Sequence, residues 1–421
     1  MKLTTLITKS ILSRKTMSIL LILSIALSTS LILSLGNIKD GAKSSLSRSV
    51  SDLDLIIGAK TSDISLLLHS VFKIGKPSDT LTWKTYQRIR AKQDVKWAVP
   101  ISLGDSHLSY PVLATTPSYF NHIKYGKKES LSFQSGAPFK TVFGIVIGHD
   151  ISKAQAYKVG DYLFLSHHDN STEVHDTHAF KITGILNQTG TAIDQTIIAS
   201  LSGVKAIHLD RHEKNKHSEH NEHEHHEEKD HFTPDQLKPE SVSAIFVGLN
   251  TKNKLFSFRE ELKADQESPL SVIIPALVIA ELWSKLKFLD SALFGISLLV
   301  LGISFLGLLI AFLLSMVERQ KELMILRAIG ANSQQLHLLL CSEMSLLTSI
   351  GVILGLLISK VLSIIVSPIF EKAYGLVLSF SWISINDIIV SLSIIFFGFL
   401  MSFIPTYKAY KLSVIQGIRK S

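Results

Sequence analysis

The sequence has very little cysteine and few charges. Cys341 is the single cysteine in 421 residues, which excludes an intramolecular disulfide and any zinc or iron–sulfur site built from several cysteines. Charged residues make up 19% of the chain, and the mean hydropathy is +0.29. The chain is too apolar for an average soluble protein and too polar for a channel made only of helices. Membrane spans combined with one soluble domain therefore fit best.

The motifs of several enzyme classes are also missing. Gly75-Lys76 and Gly126-Lys127 lack the upstream glycine of a phosphate-binding loop, so the chain is not an ATPase of that class. It has no G-x-S-x-G elbow, and His212-Glu213 does not begin an H-E-x-x-H motif because position 216 is lysine. We therefore expect no catalytic residue and no intrinsic cofactor. A membrane metalloenzyme has the weakest support, because no fixed ligand set with a general base can be found.

Four stretches are long enough and apolar enough to cross a hydrocarbon core about 30 Å thick. We name them spans 1 to 4, and they cover residues 16–38, 291–317, about 343–365 and 388–407. The apolar run of span 1 is too long for a signal peptide and no small-x-small cleavage site follows it, which predicts an uncleaved anchor. Lys360, inside span 3, is close enough to an end that we expect its side chain to snorkel towards water.

Basic residues predict the orientation, because Lys and Arg accumulate on the cytoplasmic side of membrane proteins. They precede span 1, separate spans 2 and 3, and follow span 4: Lys2, Lys9, Arg14, Lys15, Arg319, Lys321, Arg327, Lys408, Lys411, Arg419 and Lys420. The loop between spans 3 and 4 offers only Lys372. We expect a multi-pass inner-membrane protein, in contact with membrane lipid, with both termini in the cytoplasm. The net charge of +8 does not indicate nucleic acid, since the basic residues form no single stripe.

The predicted fold class is a membrane α-helical protein with four transmembrane helices and a large α+β extracytoplasmic domain inserted between helices 1 and 2. Residues 1–38 form an N-terminal amphipathic segment and span 1, residues 39–285 form the domain, and residues 286–421 contain spans 2 to 4. Apolar patterning predicts strands at 52–57, 143–147, 162–165, 180–185, 196–198 and 244–247, and helices at 151–157 and 256–263. Residues 271–290 are expected to form a stalk helix running into span 2, with Pro275 in its first turn or at a kink.

The segment between spans 2 and 3 is the most informative in the chain. Strong helix formers predict a helix over 318–329, with Gly330 as its C-terminal cap and Ser333 as the start of the next helix. Leu323, Leu326 and Ile329 give this helix a narrow apolar face. A short helix with one apolar and one polar face, lying against the membrane, is suited to docking a soluble partner.

The same segment resembles the cytoplasmic loop of the FtsX/MacB/LolC-type ABC transporter permeases, whose pattern is roughly E-R-x-x-E-[IL]-x-[IL]-L-R-A-[IL]-G-A. The matching residues are Glu318, Arg319, Glu322, Leu323, Ile325, Leu326, Arg327, Ala328, Gly330 and Ala331. Residues 404–419 resemble the family's ending but carry Ser413 and Gly417 where the family usually has proline and alanine. The turn 159–161 and the strand 180–186 resemble its exterior domain.

The resemblance implies a permease homodimer or heterodimer bound to two copies of a separate ABC ATPase, which carries the catalytic activity. ATP hydrolysis then moves the exterior domain, a mode called mechanotransmission. The resemblance also implies a coupling helix that docks on the ATPase through Glu318, Arg319, Glu322, Leu323, Leu326, Arg327 and Gly330. The alternative is a plain interhelical loop with solvated charges.

A histidine-rich segment at 208–231 is not explained by the family pattern. Its histidines are His208, His212, His217, His220, His223, His225, His226 and His231, and carboxylates are interspersed among them. It has few apolar residues, which predicts a mobile loop inserted between the strands near 196–198 and 244–247. Neutral imidazole is a good ligand for zinc, copper and nickel, so we expect several weak metal sites. A solvated charged loop and a pH sensor are the alternatives.

These features lead to one main hypothesis and several rivals. The main hypothesis is a permease subunit that transmits ATPase motion to an exterior domain handling a transition metal, with zinc first, together with a periplasmic metal-binding protein. The first rival keeps the fold and extracts lipids or lipoproteins, or exports small molecules with a periplasmic adaptor. A further rival is a non-transporting regulator of a cell-wall enzyme.

We expect zinc binding by the histidine-rich segment to weaken below about pH 6, because imidazole protonates near pH 6.5 and a protonated ring cannot ligate a metal. Equilibrium dialysis of the purified protein with zinc, at about pH 7.5 and about pH 5.5, measures this loss. The control is a variant with the segment's eight histidines replaced by glutamine, which should bind little zinc at either pH. Equal binding by the unaltered chain at both pH values would assign the metal to carboxylates instead.

Overall fold

The computed structural model describes residues 15–75, 79–167, 178–217, 233, 236–265, 269–318, 325, 329–330, 332–374 and 383–418. The chain divides into two compact units. The helical unit contains Met1–Gly41, Leu286–Pro368 and Phe380–Ser421, and the sheet unit contains Ala42–Lys285 and Ile369–Ser379.

All four predicted spans are helical. The helices cover Lys15–Ser49, Pro275–Glu318, Ser333–Tyr374 and Ile385–Ile418. Each contains a stretch long and apolar enough to cross a membrane. They extend beyond the predicted spans, because hydropathy marks only the apolar part of a helix whose backbone hydrogen bonding continues through polar residues.

Glycines of span 3 bring its backbone against that of span 1. A Cβ atom on Gly355 would lie 2.6 Å from the carbonyl oxygen of Ala26, and one on Gly351 would lie 2.9 Å from Cβ of Ile25. Both distances are too short for a real side chain, so only glycine permits this approach. Helices in lipid lack a hydrophobic driving force between them and associate through such close packing of small residues.

Serine hydroxyls link span 1 to spans 2 and 3. The Oγ atoms of Ser28 and Ser304 lie 2.6 Å apart in a buried position, and Ser24 Oγ donates to Ser304 Oγ at 3.1 Å. Ser34 Oγ donates to Ser359 Oγ at 3.2 Å. Span 1 is therefore hydrogen-bonded to both span 2 and span 3, in surroundings where an unsatisfied hydroxyl would be costly.

Lys360 is buried in an ion pair and does not snorkel, which corrects the prediction from the sequence. Its Nζ lies 2.6 Å from Asp387 Oδ2, and the two side chains are 14% and 4% exposed. Asp387 also accepts from the backbone N–H of Ser384, and its own N–H donates to Ser384 Oγ, so the pair is fixed to the N-terminal cap of the last helix. The partner lies 27 residues away, and local hydropathy gives no sign of it.

We expect Lys360→Met to destabilise the helical unit by about 3–5 kcal/mol, because it leaves the Asp387 carboxylate buried without its cation. The double variant Lys360→Met/Asp387→Asn should recover much of that loss, since no charge then remains buried. Thermal unfolding of the detergent-solubilised protein measures both. A double variant less stable than Lys360→Met would contradict this account of the pair.

The sheet unit is built on one large mixed sheet. Among the described residues its strand order is β15-β1-β14-β3-β4-β12-β8-β11-β7, with β10 on β3 and β9 on β11. The fifteen strands, including two small separate pairs, are β1 Leu55–Ala59, β2 Leu81–Thr82, β3 Val95–His107, β4 Tyr110–Thr115, β5 Lys124–Tyr125, β6 Glu129–Ser130, β7 Phe133–Gly136, β8 Gly144–Ile147, β9 Tyr162–Leu163, β10 Ser166–His167, β11 Phe180–Leu186, β12 Ile197–Ser200, β13 Ser241–Val242, β14 Ala244–Leu249 and β15 Leu270–Ile273. Two of the pairings, β12 with β4 and β11 with β8, are parallel, and the others are antiparallel.

Helices cover both faces of the sheet. They are Asp63–Phe72, Trp83–Arg90, Ser118–His122, His149–Gln155, Leu201–His217 and Leu255–Lys263, with 3₁₀ turns at Ala192–Gln195 and Lys252–Lys254. Successive residues of β14 enter different cores: Phe246 contributes to one, and Ile245 and Val247 contribute to the other. Alternate side chains of a strand point to opposite faces, so a sheet buried on both faces reads as a continuous apolar run.

The structure confirms the predicted strands in this unit, and it differs from the predictions at residues 270–273 and at β3. The residues of β15 were predicted to begin the stalk helix, but they pair with β1, and the helix begins at Pro275. Proline suits the first helical position because its missing N–H would have no partner there. The sequence analysis also missed β3, whose Pro100 lies opposite Ile245 of β14. Proline in a sequence argues against a central strand, which is where β3 lies.

Candidate functional site

The coupling segment lies between the helices Pro275–Glu318 and Ser333–Tyr374. Arg319, Glu322, Leu323, Leu326 and Arg327 lie outside the described residues, as do Ala328 and Ala331, and the structure describes only the backbone of Glu318. The predicted docking contacts of these residues therefore stay predictions.

Ile325, Ile329 and Gly330 are the described residues inside this segment. Ile329 N–H donates to the Ile325 carbonyl oxygen at 3.0 Å, and Gly330 follows with a φ of +103°. A left-handed residue after a helical turn is the predicted glycine cap. The Ile325 and Ile329 side chains are 59% and 80% exposed. Two isoleucines four residues apart are therefore exposed in this segment, and only Ile329 was predicted from the sequence to lie on its apolar face.

The next helix begins at Ser333, as predicted. Gln335 Oε1 accepts from Asn332 N–H at 3.1 Å, which is the reach-back half of a capping box, and Gln335 N–H donates to the backbone carbonyl oxygen of Asn332. This arrangement fixes where the segment ends.

The first part of the histidine-rich segment is helical, which corrects the prediction of a loop. The helix Leu201–His217 includes His208, His212 and His217. Leu201, Val204 and Ile207 anchor its first turns in the core under β8 and β12. Residues with good helix propensity follow, so the helix continues beyond its anchor. His220, His223, His225, His226 and His231 lie outside the described residues.

A cavity of about 340 Å³ lies beside this helix. Its lining residues come from β3, β4, the helix Leu201–His217 and the turn before β13: Ser102, Leu103, Gly104, Asp105, Val112, Ala114, Leu201, Val204, Lys205, His208, Pro239, Glu240 and Ser241. Within it His208 Nε2 lies 3.4 Å from Asp105 Oδ2, and Lys205 Nζ lies 2.6 Å from Glu240 Oε1. Asp105 is one functional candidate that the sequence analysis missed, because it is 103 residues from His208.

A β-bulge positions Asp105. The register between β3 and β4 shifts between Leu103, opposite Leu113, and Ser106, opposite Pro111, so β3 carries one extra residue there. Bulges re-aim side chains and are common next to functional sites. On the other side of β3, the backbone of His167 in β10 lies opposite Asp105.

Among the residues that the structure describes, no three histidine, cysteine or acidic side chains come together as a ready metal site. Metal binding by the segment as a whole therefore stays a prediction. The structure places His208 on a fixed helix, while the remaining histidines of the set either have undescribed side chains or lie outside the described residues.

Two other ionisable groups of the sheet unit have structural roles. Burial raises the pKa of Asp194, while three donors, Thr189 N–H, Thr189 Oγ1 and Gly190 N–H, hold its carboxylate in a tight turn. Burial lowers the pKa of Lys73 to about 7, and its Nζ donates to the Val71 carbonyl oxygen at 2.7 Å. Both groups bond within a few residues of themselves, so we assign them to turn and helix-cap structure.

Each of the two parts of the chain matches a known protein family. A family described as MacB-like periplasmic core domain matches residues 18–264, and one described as FtsX-like permease C-terminal matches residues 294–414. Together these two domains define a permease of the ABC-transporter type. The chain belongs to the FtsX/MacB family, which confirms the resemblance carried by the coupling segment. Membership implies an ABC ATPase partner, and with the four apolar helices it indicates an inner-membrane protein with a periplasmic domain.

Two solved structures are similar to part of the chain. The periplasmic region of MacB from Actinobacillus actinomycetemcomitans is 11% identical, with a TM-score of 0.33, and the match covers 56% of this chain and 97% of that one. The extracellular domain of the noncanonic ABC-type transporter YknZ from Gram-positive bacteria is 10% identical, with a TM-score of 0.30. That match covers 52% of this chain and 98% of the YknZ domain. No curated protein sequence matches the chain.

Proposed function

We propose that this chain is a permease subunit in which ATP hydrolysis by a separate ABC ATPase drives movement of the periplasmic domain. The observation that carries the proposal is the exposure of Ile325 and Ile329, between two helices that are long and apolar enough to span a membrane. The same segment of the sequence contains Glu318, Glu322 and Arg327, and apolar side chains combined with charges are typical of a surface that binds a soluble protein.

Helix continuity supports transmission of that movement. The helix Pro275–Glu318 ends at the coupling segment and contributes residues to both units. The helix Lys15–Ser49 likewise contributes to both. An α-helix keeps its hydrogen-bonded backbone when it is displaced, so a push on one end is passed along its length. The working assembly is a homodimer or heterodimer of permease chains with two ATPase copies, and both termini lie in the cytoplasm.

The coupling role predicts weaker ATPase binding when its contact surface is changed. Glu318→Ala/Glu322→Ala/Arg327→Ala should weaken binding of the ABC ATPase at least about tenfold, equivalent to ~1.4 kcal/mol. Ile329→Asp should have the same effect, because it puts a charge into the apolar contact. Co-purification of the ATPase with the permease from detergent-solubilised membranes measures the loss.

A matched triple variant on the sheet unit controls for charge removal alone. Lys60, Asp79 and Glu260 are exposed there, and their replacement by alanine should leave ATPase binding unchanged. Full ATPase binding by both coupling variants would refute the docking role of the segment.

The cargo part of the proposal is a transition metal, with zinc first, received from or passed to a periplasmic metal-binding protein. The histidine-rich segment supports it, because the segment begins on a helix anchored in the core of the periplasmic domain and contains eight imidazoles. A metal held there would move with the domain.

The test is a variant in which glutamine replaces all eight histidines of the segment, expressed as the only copy of this protein in the cell. We expect these cells to grow normally in ordinary medium and poorly under zinc limitation or zinc excess. Substitution is preferable to deletion of 208–231, because part of that range belongs to the helix Leu201–His217. Lys214→Gln/Lys216→Gln/Lys229→Gln changes charge in the same segment without removing imidazole, and it should grow as wild type. Normal growth of the histidine variant at every zinc level would favour lipid or lipoprotein extraction, adaptor-dependent export, or regulation of a cell-wall enzyme.

A further inference from the structure

An imidazole and a carboxylate lie close to each other in the lining of the cavity beside the helix Leu201–His217. His208 Nε2 and Asp105 Oδ2 lie 3.4 Å apart, beyond the usual range of about 2.7–3.2 Å for an N–H···O hydrogen bond. Two ligands of a tetrahedral zinc ion, each about 2.0–2.1 Å from the metal, lie about 3.3–3.4 Å from each other. The pair is therefore spaced for shared coordination of one ion.

The surroundings of the pair suit a partly open metal site. The Asp105 side chain is 5% exposed, so an ion bound to its carboxylate would be largely shielded from solvent. The adjoining cavity of about 340 Å³ has room for several water ligands, each occupying about 30 Å³. Lys205 also lines the cavity, but Glu240 at 2.6 Å compensates its charge. Among the described residues that line the cavity, Lys205 is therefore the one lysine, and its charge is paired with a carboxylate.

The chain's own geometry holds both ligands before metal arrives. The bulge in β3 fixes Asp105, and the helix anchored by Leu201, Val204 and Ile207 fixes His208. Two ligands on rigid elements lose little freedom on binding a metal, whereas free imidazoles in a solvated chain must each be ordered.

We propose that Asp105 and His208 bind one divalent transition-metal ion of the zinc class, with its remaining positions open to water or to a ligand of a donor or acceptor. The proposal rests on the metal-handling part of the proposed function and goes beyond it, because Asp105 lies outside the histidine-rich segment and the site has a fixed geometry. An ion with open positions exchanges ligands readily, which suits transfer more than structural support.

Cobalt titration of the purified full chain tests this site, because the visible absorption of Co²⁺ distinguishes four-coordinate from six-coordinate binding. The background is a segment variant with His212, His217, His220, His223, His225, His226 and His231 replaced by glutamine. It should bind one Co²⁺ per chain with the intense absorption of four-coordinate cobalt. In that background Asp105→Asn and His208→Gln should each weaken binding at least about tenfold.

Control variants distinguish the Asp105–His208 site from metal binding by the histidine-rich segment. Asp94→Asn and His149→Gln, in the same background, remove a carboxylate and an imidazole elsewhere in the domain and should leave cobalt binding unchanged. Thermal unfolding confirms that each variant is folded. Loss of all cobalt in the segment variant, or binding that survives Asp105→Asn, overturns the Asp105–His208 site and leaves the metal-handling proposal standing. No cobalt on the unaltered chain overturns both.

Discussion

The helical unit depends on close backbone contact between spans 1 and 3. In lipid, apolar side chains gain nothing by leaving one hydrocarbon surface for another, so helices associate through close packing and polar contacts. Gly351 and Gly355 provide the packing, and the hydroxyls of Ser28, Ser34 and their partners provide the polar contacts. The Lys360–Asp387 pair then ties span 3 to the start of span 4. These contacts hold spans 1, 3 and 4 together within the helical unit.

The sheet unit follows a different physical rule. It is stabilised by burial of apolar side chains on both faces of one sheet, and the strands contribute alternately to two sides. Such a sheet leaves few positions for chemistry, so functional groups occur where the pairing is interrupted. The bulge at Asp105 is one such interruption, and the helix that starts after β12 brings His208 beside it.

The coupling segment and the cavity beside the helix Leu201–His217 are candidate sites for two different roles. We propose the exposed Ile325 and Ile329 as part of a surface for a soluble partner, and Asp105 and His208 beside the cavity as ligands of one metal ion. Family membership implies a separate ABC ATPase, and the proposed function places ATP hydrolysis on that partner. In that proposal the chain links hydrolysis to movement of the periplasmic domain.

The sequence by itself determined the features that depend on neighbouring residues. Apolar runs located the four helices, the motif from Glu318 to Ala331 identified the family, and apolar patterning located six of the fifteen described strands. Only the tertiary structure decided the Lys360–Asp387 pair, the Asp105–His208 pair and the central position of β3. Those contacts join residues far apart in the chain, and hydropathy and periodicity carry no information about distant partners. The spacing of Gly351 and Gly355 was a usable local signal for helix contact, but which helix they meet was decided by packing.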